Sequence, residues 1–189
     1  TIICLLLGYP AAYIMAMADF KTPQVMAMLF ILPMWINFLL RTIATVELFR
    51  MFGLPLGEGA LLFGMVYDFL PFMIYPIYNT LQKMDTSLIE AAHDLGAKRS
   101  QVFMKVTLPL SVPGIYSGIV MVFMPTVSTF AIAELLTHNK VTLFGSLIQR
   151  CFGEGGIAMW NYGAALSLIM LIIIGLTSFF GGDKEDINR

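Results

Sequence analysis

Apolar residues run along this chain in long blocks separated by short polar stretches, with no alternation at a period of two. Five blocks approach the roughly 20 residues that a helix needs to cross a hydrocarbon layer of about 30 Å: 1–18, 24–43, 59–81, 113–135 and 159–180. A membrane barrel would show shorter, alternating segments. The pattern predicts an all-α, polytopic helical membrane protein, one domain over 1–189, with a single long polar insertion at 82–112. Pro10, Pro33, Pro71, Pro76 and Pro125 lie within these blocks. Helices in lipid tolerate such prolines because neighbouring helices re-satisfy the freed carbonyls. The first block already begins at Thr1, so a further helix is expected upstream.

Composition sharpens the picture. The 189 residues are 58% hydrophobic and 12% charged, against about 45–50% and about 25% in soluble domains. Mean hydropathy is +0.82. So few charges cannot coat a water-facing surface, and the lipid bilayer becomes the expected surroundings. A net charge of −1 leaves no basic patch, so no nucleic-acid partner is expected. Cys4, Cys151, His93 and His138 match no metal-ligand spacing, and no metal site is expected. Positive charge sets the orientation. Lys21, Lys83, Lys98, Arg99, Lys105, Lys184 and Arg189 fall on one side, Arg41, Arg50, Lys140 and Arg150 on the other. The first side should be cytoplasmic, with 82–112 inside and 44–58 and 136–158 outside.

The insertion has its own grammar. Ser87 and Glu90 have capping-box spacing, predicting a helix from about Leu88. Gly96 supplies the left-handed residue that ends it. Ser100 is a cap for a second helix through Val102, Phe103 and Val106, stopping before Pro109. Ala91 and Ala92 permit close approach, and Leu88, Ile89 and Leu95 offer apolar anchors for a helix laid in a partner's groove.

Glu90-Ala91-Ala92, then Gly96 after three residues, Val106 after nine more and Leu108-Pro109 after one, resembles the EAA signature of ABC-importer permeases. Val106 stands where that family usually has Ile. The stretches VYDFLPFMIYPIYNTL and TLPLSVPGIYSGIVMVFMPTVSTFAIAELL on either side are similar to the spermidine/putrescine importer permeases, and the resemblance spans essentially the whole chain. It implies the five-helix permease core preceded by one more helix, in the bacterial cytoplasmic (inner) membrane. It implies a permease subunit of an ATP-driven importer moving polyamines, with 82–112 as the cytoplasmic coupling loop. Glu90, Ala91, Ala92, Gly96, Leu108 and Pro109 would be the coupling positions. The implied partners are a second permease subunit, a cytoplasmic ATPase dimer and an extracytoplasmic substrate-binding protein facing 138–158. The chain itself would be no enzyme and bind no cofactor, ATP and Mg being used by the ATPase; it has no G-x-x-x-x-G-K-[ST] to cradle phosphates. Between Arg50 and Leu54 it is shorter than the family usually is. Two alternatives remain: the same machinery with another small solute, or a cation channel, which leaves the Glu-Ala-Ala to Leu-Pro spacing unexplained.

For the substrate path, Asp68 lies nine residues into its block, roughly 13–14 Å at 1.5 Å per residue. A charge at that depth should face a cavity or a partner. Asp68, Tyr75 and Asn79 share one helical stripe at i, i+7 and i+11, and carboxylates with aromatic faces suit ammonium groups. Glu134 would add a carboxylate at the outer entrance, with Tyr67 and Trp35 as weaker candidates. The alternatives are, for Asp68, a structural partner on another helix such as Arg41 or a polar face against the second subunit; for Glu134, contact with water; and for Trp35 and Trp160, an interfacial aromatic belt.

Overall fold

A computed structural model describes residues 1–17, 23–138, 140–153 and 156–182. Among these the chain is helical: α1 (Ile2–Met17), α2 (Pro23–Trp35), α3 (Phe38–Met51), α4 (Glu58–Gln82), α5 (Thr86–Asp94), α6 (Arg99–Val102), a π-turn (Phe103–Thr107), α7 (Leu108–Ser128), α8 (Ala131–Thr137), α9 (Phe144–Gly153) and α10 (Gly156–Gly182). Lys21, Lys184 and Arg189, used above for orientation, lie outside the described residues.

Three helical runs are long and apolar enough to cross a membrane: Glu58–Gln82, Arg99–Ser128 and Met159–Ser178. The first block survives as α1, a shorter apolar helix. The second does not run straight. It breaks at Ile36–Asn37, and the helices on either side are bent by 97°. The Asn37 side chain accepts a hydrogen bond from the Leu39 N–H at 2.8 Å and so caps α3, which satisfies one of the donors a helix start exposes. The fourth block also differs: its helix begins earlier and ends at Ser128, with Thr129 extended. The Thr126 and Ser128 hydroxyls donate back to the carbonyls of Val122 and Met124, a competition that loosens a helix end just after Pro125.

The core is built around α4. Met73, Ile74, Ile77, Tyr78 and Leu81 are buried on it, with Ala12 and Met15 of α1 and Val122 of α7. In lipid, where apolar burial drives little, close backbone approach between small residues holds helices together. Gly114 and Gly118 of α7 provide it. A methyl group at Gly114 would lie 2.5 Å from Thr80 Oγ1 and 2.9 Å from the Pro76 carbonyl, and one at Gly118 would lie 3.2 Å from the Met73 carbonyl. By contrast α10 exposes Leu168, Leu171, Ile172 and Leu176, the surface of a helix that faces lipid or another apolar partner.

Candidate functional site

The insertion folds as a helical hairpin. The cap of α5 is Asp85, two residues before the expected Ser87: its carboxylate accepts from the Ser87 N–H at 2.9 Å. Hydrogen bonding from Ser87 holds the Asp85 carboxyl below its ordinary pKa, since donors favour the charged form. Gly96 takes φ +80°. The Ala97 N–H reaches the Ala92 carbonyl at 3.1 Å and the Gly96 N–H the His93 carbonyl at 2.8 Å, the paired bonds of a Schellman end. The start of α6 falls at Lys98, not Ser100. The Lys98 N–H is met by Gln101 Oε1 at 2.9 Å.

The second helix does not stop before Pro109. α6, the π-turn and α7 form one 30-residue run, Arg99–Ser128. Proline cannot donate to the helix ladder and its ring crowds the carbonyl four residues back. The wider turn over Phe103–Thr107, where the Leu108 N–H bonds the Phe103 carbonyl, relieves that crowding. The structure therefore brings Glu90, Ala91, Ala92 and Gly96 together in the hairpin, and sets Leu108 and Pro109 beyond the π-turn at the base of α7. Leu88 is 47% and Leu95 89% exposed. A cavity of about 300 Å³ opens beside Ala92, Gly96, Val102 and Lys105.

Asp68 is fully buried, and its partner is Arg41. Arg41 Nε stands 3.2 Å from Asp68 Oδ1, Arg41 Nη2 donates to the Asp68 carbonyl at 3.3 Å, and Thr42 Oγ1 donates to Asp68 Oδ2 at 3.0 Å. Tyr67, 44% exposed, lies with its ring centroid 5.8 Å from the Arg41 guanidinium carbon and stacks on Phe63 at 6.4 Å. Since Arg41 is buried, it is no loop charge, and the orientation count on the outer side falls to Arg50, Lys140 and Arg150. Thr42 was not legible beforehand. It enters because the break at Asn37 turns α3 across α4.

The expected stripe thus divides. Tyr75 and Asn79 line a cleft of about 470 Å³ together with Thr80, Tyr116, Ser117 and Lys83, while Asp68 faces α3. Hydroxyls, an amide and tyrosine faces share this lining with Pro76, Val120 and Met121, and among the described residues Lys83, at the loop end of α4, is its charged member. Tyr116 Oη also donates to the Thr177 carbonyl at 3.3 Å, tying α7 to α10. The polar pair Tyr116-Ser117 within an apolar block was the available sequence sign. Glu134, exposed on α8, does not line this cleft, and Trp35, 87% exposed at the end of α2, stands at the break.

A family model for the binding-protein-dependent transport system inner membrane component matches residues 8–182. The spermidine/putrescine transport system permease protein PotB of Escherichia coli (strain K12) is 35% identical over 193 residues, covering 93% of this chain and 70% of that protein. The protein of the same name from Haemophilus influenzae is 36% identical, covering 95% and 68%. Among solved structures, an inward-facing MetNI methionine ABC transporter superposes with a TM-score of 0.72 at 19% identity, covering 96% of this chain and 86% of that one, a likeness of fold.

Proposed function

This chain belongs to the binding-protein-dependent transport system inner membrane components, and from that premise we propose that it moves polyamines inward as one permease subunit of an ATP-driven importer. The observation that carries the reading is the identity of 35–36% with two spermidine/putrescine permeases over nearly the whole chain. The site chemistry supports it. A polyamine is a flexible methylene chain bearing ammonium groups, and the cleft between α4 and α7 presents acceptor oxygens from Asn79, Thr80 and Ser117 with the rings of Tyr75 and Tyr116. Cation–π contact contributes about 0.5–2 kcal/mol per ring. A path must bind firmly enough to admit its cargo and weakly enough to release it. The Lys83 ammonium in the same lining is a like charge, so the favourable contacts for a cation are those of the neutral oxygens and rings.

The hairpin at 86–102 is the proposed coupling loop, with Glu90, Ala91, Ala92 and Gly96 at the ATPase surface. Leu88 and Leu95, both exposed, are anchors of the kind a helix presents to a groove. The ATPase dimer, a second permease and a substrate-binding protein complete the machine.

The test is reconstitution in liposomes with those three partners, measuring ATP-dependent uptake of labelled spermidine and putrescine beside a neutral amino acid. Saturable polyamine uptake that requires ATP is the expected result. Intact ATP hydrolysis with no polyamine entry would leave the machine standing and overturn the cargo.

A further inference from the structure

Motion received at the hairpin has to reach helices inside the membrane, and the junction between the two is unusual in three respects. First, it is a π-turn. Val102 and Thr107, 4% and 1% exposed, are both buried although five residues apart. A regular helix would place them about 140° apart at 100° per residue, and the wide turn changes that angle. Second, Pro109 lies two residues past the turn and has no N–H, so neither the Lys105 carbonyl of an α register nor the Met104 carbonyl of a π register is bonded from that position. Third, the turn is tied to α1 by side chains. The Phe103 ring meets Tyr13 edge-on at 5.3 Å and Tyr9 at 6.0 Å, two tyrosines one turn apart on the same face of α1.

Hydrogen bonds close this contact into a circuit. Ser111 Oγ donates its proton to the Leu108 carbonyl at 2.9 Å, so in the 3.0 Å contact between Tyr9 Oη and Ser111 Oγ the tyrosine is the donor. The Leu108 N–H in turn bonds the Phe103 carbonyl across the wide turn. Backbone and side chain of Phe103 are thus both fixed, one to α7 and the other to α1.

We infer that Phe103 is the positioning residue that hands displacement of the coupling hairpin to α1, with the π-turn as the hinge. Short π segments recur at functional sites, and the α and π registers differ by a single residue. Moving between them would turn the hairpin by about 100° around its axis, and Pro109 leaves fewer bonds to break in doing so. Phe103, wedged between Tyr9 and Tyr13, cannot follow such a turn without pushing on α1. The inference rests on the coupling-loop reading above.

The experiment uses the complete reconstituted complex and reads spermidine uptake and ATP hydrolysis in the same vesicles. Phe103→Leu keeps an apolar group and removes the ring. It is expected to lower uptake per ATP by up to about tenfold, the scale set by loss of the edge-to-face contacts, while Phe103→Tyr restores most of it. An unchanged ratio in Phe103→Leu, or equal loss in both variants, would overturn the inference. Gly96→Pro in parallel separates it from its premise. If Gly96→Pro uncouples and Phe103→Leu does not, only Phe103's role falls; if neither uncouples, the coupling loop falls with it. Should Phe103→Leu not assemble, Tyr13→Leu removes the nearer ring from the opposite side and is read the same way.

Discussion

Asp68 and Arg41 show how a single pairing changes the meaning of a residue. Depth in the apolar block marked Asp68 as expensive, and Arg41 was one of several ways to satisfy it. Which of them holds depends on where α3 lies, and that depends on Asn37 capping a new helix. With both charges buried, removing one leaves the other uncompensated, at a cost of about 3–5 kcal/mol. Asp68→Asn should therefore lower the thermal stability and the assembly of the complex together with uptake. Replacing both residues, Arg41→Met with Asp68→Leu, should recover much of the stability, because a buried pair exchanged for apolar side chains is close to neutral. A double-mutant cycle on heat inactivation checks this. Lost uptake with full stability in Asp68→Asn would return the carboxylate to the substrate path.

Between elements, packing is decided by backbone approach. Hydrophobic blocks announced α4 and α7 but not that Gly114 faces Pro76 and Thr80; the Gly-x-x-x-Gly spacing was readable, its partner helix was not. Gly114→Ala should push α7 off α4 and destabilise by about 1–3 kcal/mol, the usual cost of overpacking. Gly175 has nothing within 4 Å of an added methyl, so Gly175→Ala should be neutral, or stabilising by about 0.5–1 kcal/mol from helix preference. Melting of the detergent-purified variants measures both. Equal effects at the two positions would mean that the α4–α7 contact is looser than the geometry shows. The breaks at Ile36–Asn37 and Thr129–Phe130 were missed for a common reason. Hydropathy averages over a window and ignores single capping or back-bonding side chains, whose signs were Asn37 and the run Thr126–Thr129.

At the scale of the whole molecule, the exposed hairpin is the proposed surface for the ATPase. Leu95 is 89% exposed, so Leu95→Glu should leave folding and membrane insertion unchanged. It should strip the ATPase from the purified complex, as judged by its co-elution. Retained ATPase with normal uptake would place the docking surface elsewhere. The sequence by itself determined the solvent, since 58% apolar residues in long blocks admit only lipid. It determined the turn of the hairpin as well, because Gly96 and the Glu-Ala-Ala spacing act over neighbouring residues, whereas the caps fall at Asp85 and Lys98 instead of Ser87 and Ser100. The tertiary structure decided the rest: that Asp68 meets Arg41, that Tyr75 and Asn79 line a cleft without it, and that Phe103 sits between two tyrosines. Each of these joins residues tens of positions apart, and their meeting follows from helix breaks and a one-residue change of register that no periodicity records.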